Sequence, residues 1–314
     1  MAFTPQFNEV SRSKMKASIV IQGLSGYGKS GLALALAYAF AHYQWDKVYA
    51  LDTENRSLNL FDGLPMHTGE KFRGFRKFDL TKVHGYRPTH YLAAKEAAKR
   101  NGAEVFVEDS ISHMWNGPGG VLQLVSQKEA ENARVNKFNA WGVPEVVTEK
   151  DTIFELIRDA EIHLIATVRV KEKFDLVAGE GVKSRGEQQI QMPDLKFEPD
   201  LVLEMLEAGT TSGQAPRARV IKSRYAVLAK DEIYEFTKER IDELVAYLEE
   251  GADPAIMMEA QRQEYIAEIK SILDGNPSKA VVWTVYKSDA GCADIALPDM
   301  TLPILRKLLS QLIQ

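Results

Sequence analysis

Gly23-Leu24-Ser25-Gly26-Tyr27-Gly28-Lys29-Ser30 satisfies the spacing G-x-x-x-x-G-K-[ST] at every position. The flanks strengthen it. Ala17-Ser18-Ile19-Val20-Ile21-Gln22 is a short apolar β-rich run, and Gly31 to Phe40 is rich in strong helix formers. A strand, a glycine-rich turn and a helix are the scaffold a P-loop needs. The glycines let the backbone curl around phosphate oxygens with its N–H groups turned inward. Lys29 then offers a point charge to the β- and γ-phosphates and Ser30 a hydroxyl to Mg²⁺, while the helix presents its positive dipole end. The expected ligands are ATP and Mg²⁺, and the expected contacts are Gly23, Ser25, Gly26, Tyr27, Gly28, Lys29, Ser30 and Gly31. Tyr27 could reach the adenine or ribose, although side chains in such loops usually face solvent.

Composition removes several alternatives. The 314 residues, 45% hydrophobic and 26% charged, are those of an ordinary globular chain with room for one large domain and a smaller appendage. No run of eighteen apolar residues is present, so no membrane span is expected. The N-terminus lacks the cationic start and apolar core of a secretory signal, and the expected compartment is the cytoplasm. A single cysteine, Cys292, excludes an internal disulfide framework and a cysteine-based zinc site. The net charge of −5 is unevenly spread: residues 67–100 hold nine Lys/Arg against three Asp/Glu, and residues 231–275 hold four against thirteen. Local basic loops on an acidic protein can still meet nucleic acid.

The pattern of short apolar runs and helical stretches over residues 15–236 predicts an α/β core with a mostly parallel central sheet flanked by helices. Strands are expected at Ser18–Gln22, Lys47–Asp52, Arg76–Leu80, Glu104–Glu108, His163–Val168, Leu201–Glu207 and Arg217–Lys222. Helices are expected at Ser30–His42, Pro88–Asn101, from near Gly120, and at Thr148–Asp159. Residues 1–14 read as a flexible lead-in, Lys171–Pro193 as a mobile loop or β-excursion, and 237–314 as a small acidic helical appendage.

Two further segments supply carboxylates. Glu104-Val105-Phe106-Val107-Glu108-Asp109-Ser110 is an apolar strand ending in acid, as a Walker B strand requires. Asp109 is the expected Mg²⁺ partner beside Ser30, though neighbouring strand residues point to opposite sides and Glu108 could face the metal instead. Val48-Tyr49-Ala50-Leu51-Asp52-Thr53-Glu54 delivers an acidic pair to the end of a second strand, where α/β proteins place ligands.

With this Asp-x-Glu the chain resembles the RecA-like P-loop ATPases. The likeness covers roughly residues 15–230. It includes Thr167-Val168-Arg169-Val170-Lys171 and Lys222-Ser223-Arg224, and it is nearest to compact phage-encoded members of the Sak-four type. The resemblance implies that Glu54 is the general base and that Thr167 senses the γ-phosphate, where bacterial RecA carries Gln. Lys171, Lys173, Lys183 and Arg185 would then lie in a loop touching single-stranded DNA. Lys222 and Arg224 would reach a neighbour's ATP site, so self-association into a ring or filament is implied. A DNA-stimulated ATPase assisting annealing or strand exchange in phage recombination or replication is the expected function, with a single-strand-binding or replication protein as a further partner. A nucleotide-gated scaffold with little turnover is the alternative, and a small-molecule kinase would leave Asp-x-Glu and Lys-x-Arg unexplained. Trp115 could stack on a base, or else pack in the core or cover the nucleotide; Trp141 and Trp283 read as packing residues.

Overall fold

Apolar runs too short for helices need two covered faces, and they find them by lying side by side. A computed structural model describes residues 15–131, 138–158, 161–177, 181–207, 214–251, 254–289 and 291–313. Over 171–177 and 181–189 only the backbone is described. The first half of the chain runs β1 (Ser18–Gly23), α1 (Lys29–Phe40), β2 (Val48–Asp52), β3 (Arg76–Asp79), α2 (Pro88–Arg100), β4 (Val105–Asp109), α3 (Ser112–Asn116), α4 (Val121–Glu131) and α5 (Pro144–Arg158). It continues with β5 (His163–Val177), β6 (Gly181–Gln189), β7 (Leu201–Met205), β8 (Arg217–Ser223), β9 (Ile233–Glu235) and α6 (Lys238–Glu249). Three more helices follow, α7 (Pro254–Gly275), α8 (Pro277–Asp289) and α9 (Leu302–Ile313).

The sheet order is β3-β2-β4-β5-β1-β7-β8-β9. From β3 through β7 the pairings are parallel, and β8 and β9 add antiparallel at one edge. This is an α/β P-loop NTPase fold. Period-two alternation divides each strand between two cores. Ile19, Ile21, Val105, Val107 and Ile165 face the core that holds α1, whereas Val20, Phe106, Leu164, Ala166 and Val168 face the one that holds residues of α2, α4 and α5. α1 is buried nearly all round, through Leu32, Leu34, Leu36 and the alanines between them. That explains a helix with no polar stripe.

The Lys171–Pro193 segment is a β-excursion: β5 continues past the sheet and pairs antiparallel with β6, from Val170 opposite Gln189 out to Val177 opposite Gly181. Residues 1–14, expected to be flexible, lie outside the described residues. One boundary needs correction. The sequence places α6 in the appendage that starts at residue 237, but Ile241, Leu244 and Leu248 are buried in the core of the first unit with Phe236 and Val220. The two compact units therefore divide at Leu248 and Glu249. The acidic composition marked the solvent face of α6; its apolar stripe decides where it packs.

In the second unit, Ile266 and Ile269 of α7 pack with Leu305, Leu308 and Leu312 of α9 and with buried Cys292. Among the described residues, no helix is long and apolar enough to cross a membrane.

Leu244 is 1% exposed. Leu244→Ala is expected to destabilise the first unit by about 2–5 kcal/mol, read from denaturant unfolding curves. A helix merely tethered to the core would show almost no change.

Candidate active site

β1, β2, β4 and β5 are mutually parallel, so their C-terminal ends share one rim. The turn after β1 needs glycine. Gly28 adopts φ 82 immediately before α1, and at Gly23 an added Cβ would stand 3.0 Å from Met205 Cβ. Lys29 Nζ donates to the Leu24 carbonyl at 2.8 Å, which folds the lysine back over its own loop.

Alternation decides between the two Walker B carboxylates. Asp109 shares the face of Val105 and Val107, beneath α1, and Ser30 Oγ donates to its Oδ2 at 2.7 Å. Thr167, on the matching face of β5, donates its hydroxyl to Asp109 Oδ1. Glu108 points the other way and is 0% exposed. Neither of its oxygens has a hydrogen-bond partner among the described residues. Burial pushes its carboxyl from 4.5 up to about 8, against a smaller opposite pull from buried Lys95.

Glu54 is presented by a strained turn. Asn55 and Arg56 adopt φ 57 and φ 65, a left-handed conformation unfavourable for residues with a Cβ. Asp52 compensates: Oδ1 accepts the Glu54 N–H at 2.8 Å and Oδ2 the Leu58 N–H at 2.9 Å. Burial raises the Asp52 pKa, and the Leu58 N–H opposes that rise. Asp52 thus shapes the loop, and Glu54 is the member of the pair that lines the cleft. Ser110 Oγ donates to Glu54 Oε1 at 2.8 Å, and Arg169 forms an ion pair with Oε2. Thr53 ties this turn to β4, its N–H donating to the Asp109 carbonyl at 2.7 Å and its Oγ1 lying 2.9 Å from His113 Nδ1.

Lys29, Ser30, Glu54, Asp109, Ser110, Thr167 and Arg169 line one cleft of about 690 Å³. A hollow of about 220 Å³ adjoins it, sharing Gly28, Gly31 and Phe61 and adding Tyr27, His67 and Phe72. Tyr27 is partly buried against the α1 core. His67 Nε2 donates to the Phe236 carbonyl at 2.7 Å, and burial lowers its pKa. The signature of a family described as an AAA domain covers residues 15–240. The chain belongs to this family of P-loop ATPases. Among curated proteins none matches the chain.

Lys222 and Arg224, expected to reach a neighbour's ATP site, lie away from the cleft of their own subunit. β8 runs antiparallel to β7, with Ser223 opposite Leu201 and Leu201 opposite Ile19. Lys222 and Arg224 therefore sit at the N-terminal end of β1, roughly 15 Å along the sheet from the P-loop, at about 3.3 Å per strand residue. Lys222 Nζ donates to the Phe197 and Pro199 carbonyls, and Arg224 Nη1 to Asp200 Oδ1 at 2.8 Å. Burial, then the neighbouring Arg224, holds the Lys222 ammonium below its ordinary range. Trp115 stacks on Trp141 with ring centres 5.9 Å apart, as a packing residue does. Lys171, Lys173, Lys183 and Arg185 fall on the β5–β6 hairpin, where side chains are outside the described part.

Sequence reasoning missed Ser110, Phe61 and His67 and gave Arg169 no role. Only Ser110 carried a signal, as a hydroxyl beside the Walker B acid. The other three are brought in by loops and by strand register.

At low pH both folded and unfolded chains carry Glu108 protonated. As pH rises from 4.5 toward about 8, only the unfolded chain ionises it, so the stability it contributes is lost across that window. Glu108→Gln removes the titration. The variant's thermal midpoint should gain on the wild type between about pH 5 and pH 8, and a constant difference would place Glu108 in contact with water.

Proposed function

We propose that the AAA domain hydrolyses ATP, with Glu54 orienting the attacking water and accepting its proton. The observation that carries this reading is the convergence of Lys29, Ser30, Asp109, Thr167 and Glu54 on one cleft. The triphosphate lies along the P-loop, and its base enters the aromatic hollow of Tyr27, Phe61 and Phe72, whose rings suit a nucleobase face. The hydroxyl of Ser30 and the carboxylate of Asp109 are adjacent hard oxygen donors, which fits Mg²⁺. Bound there, the ion would neutralise charge on the β- and γ-phosphate oxygens. The water oxygen bonds to the γ-phosphorus and its proton passes to Glu54. The bridging oxygen leaves with ADP and the electron pair.

The same proposal includes single-stranded DNA as the effector, in recombination or replication. Its support is the resemblance to phage-encoded RecA-like ATPases and the cationic sequence of the β5–β6 hairpin, which begins just beyond Thr167. Lys222 and Arg224 are too far from their own cleft to serve it, so any role with phosphate belongs to a neighbouring subunit's site, in a ring or filament.

Glu54→Gln is expected to lower turnover by about 10²–10⁴-fold while ATP still binds, and Lys29→Ala to lose ATP binding. Steady-state phosphate release and nucleotide titration measure both. Unchanged turnover in Glu54→Gln sinks the hydrolytic reading. Single-stranded DNA should raise the wild-type rate; no stimulation, with no DNA retained at low salt, removes the DNA part.

A further inference from the structure

Arg169 is a cation of the phosphate cleft that neither Walker motif explains. It follows Thr167 by two residues on β5 and so repeats that side chain's face. It lines the same cleft as Lys29, Ser30 and Glu54. Its position is well determined from behind: the Arg169 N–H donates to Ser112 Oγ at 2.9 Å, and its carbonyl accepts from Ile190 at 2.8 Å. The guanidinium is paired with Glu54, the group proposed to receive the water's proton.

That pair is an unsuitable resting place for a working base. A carboxylate held by a guanidinium is a poorer proton acceptor. The pair is also partly open to water, the Arg169 side chain being 45% exposed and that of Glu54 19%, and ion pairs open to water gain little. A nucleoside triphosphate brings several negative charges into the cleft, and the planar guanidinium fork matches phosphate oxygens better than it matches one carboxylate oxygen. Lys222 and Arg224 cannot compete for this task within the subunit, since they are engaged at the other end of β1.

We propose that Arg169 is a catalytic cation supplied in cis. It holds Glu54 until a γ-phosphate is present, then moves its fork to the γ-phosphate oxygens. There it offsets the charge that develops as the bond to the bridging oxygen breaks, and Glu54 is released to take the proton. Arg169 keeps its own protons throughout. The inference rests on the hydrolytic reading above but is tested separately from it.

The full chain is compared as wild type, Arg169→Ala, Arg169→Lys and Glu54→Gln, by titration with ATP and with ADP and by single-turnover hydrolysis. Arg169→Ala is expected to slow hydrolysis by about 10²–10³-fold, and Arg169→Lys to recover part of that loss. ADP affinity should stay within about twofold while ATP affinity falls several-fold, because only ATP presents the γ-phosphate. Three results overturn the inference: Arg169→Ala hydrolysing as fast as wild type, hydrolysing faster (a restraining role only), or losing ATP and ADP affinity equally (a shaping role). Glu54→Gln keeps the two readings distinct. If it is inactive while Arg169→Ala is normal, only the role of Arg169 falls; if it turns over normally, the hydrolytic reading falls first.

Discussion

The carboxylate of Asp109 joins three elements that the chain order keeps far apart. Its two oxygens accept the hydroxyls of Ser30, in the first turn of α1, and Thr167, on β5, while its own backbone ends β4. A carboxylate 3% exposed needs such partners, and hydrogen bonds to an ionised group are the stronger kind. The arrangement is possible because β5 lies between β1 and β4 in the sheet. Ile21 stands beside Thr167 and Glu108 beside Ala166, so the three strand ends stay in register. A slip of one residue would turn every one of these side chains to the other face.

The rest of the cleft hangs on that framework. β2 pairs with β4, bringing Asp52 level with Asp109, and the Thr53 N–H extends the link one residue past the strand. Glu54 can then be offered by a turn with two left-handed residues, because buried Asp52 stitches that turn at both ends. The segment after β4 serves twice. Ser110 contacts Glu54, and Ser112 fixes the backbone of Arg169. The base of the hairpin is fastened there too, through Gln191 Nε2 to the Ile111 carbonyl at 2.8 Å. The loop that carries the cationic sequence and the turn that carries Glu54 thus share their supports.

Much of this was legible in the residues. Most strand and helix positions in the α/β core came within a few residues, because short buried parallel strands read as continuous apolar runs and α1 as a long run of helix formers; β5 runs nine residues past its expected end at Val168, and α3 and β9 were not expected. The P-loop was legible because backbone curvature and phosphate charge restrict glycine, lysine and serine to one spacing. The unit to which α6 belongs was not legible, since composition reports solvent exposure and not which core a helix covers. The choice between Asp109 and Glu108 stayed open because alternation assigns opposite faces without saying which one α1 occupies. Arg169 went unassigned because its partner in the cleft, Glu54, is 115 positions away in the chain.

By itself, then, the sequence determined a nucleotide cradle: a strand, a phosphate-wrapping turn, a helix, and further strands ending in carboxylates. Local geometry and charge suffice for that, as each requirement falls on neighbouring residues. The tertiary structure decided which carboxylate meets Ser30, which acid of Asp-x-Glu enters the cleft, that Lys222 and Arg224 lie at the far end, and that Arg169 lies within. Those outcomes depend on strand order, register and face. They are set by the packing of two cores against one sheet, through contacts between segments distant in sequence.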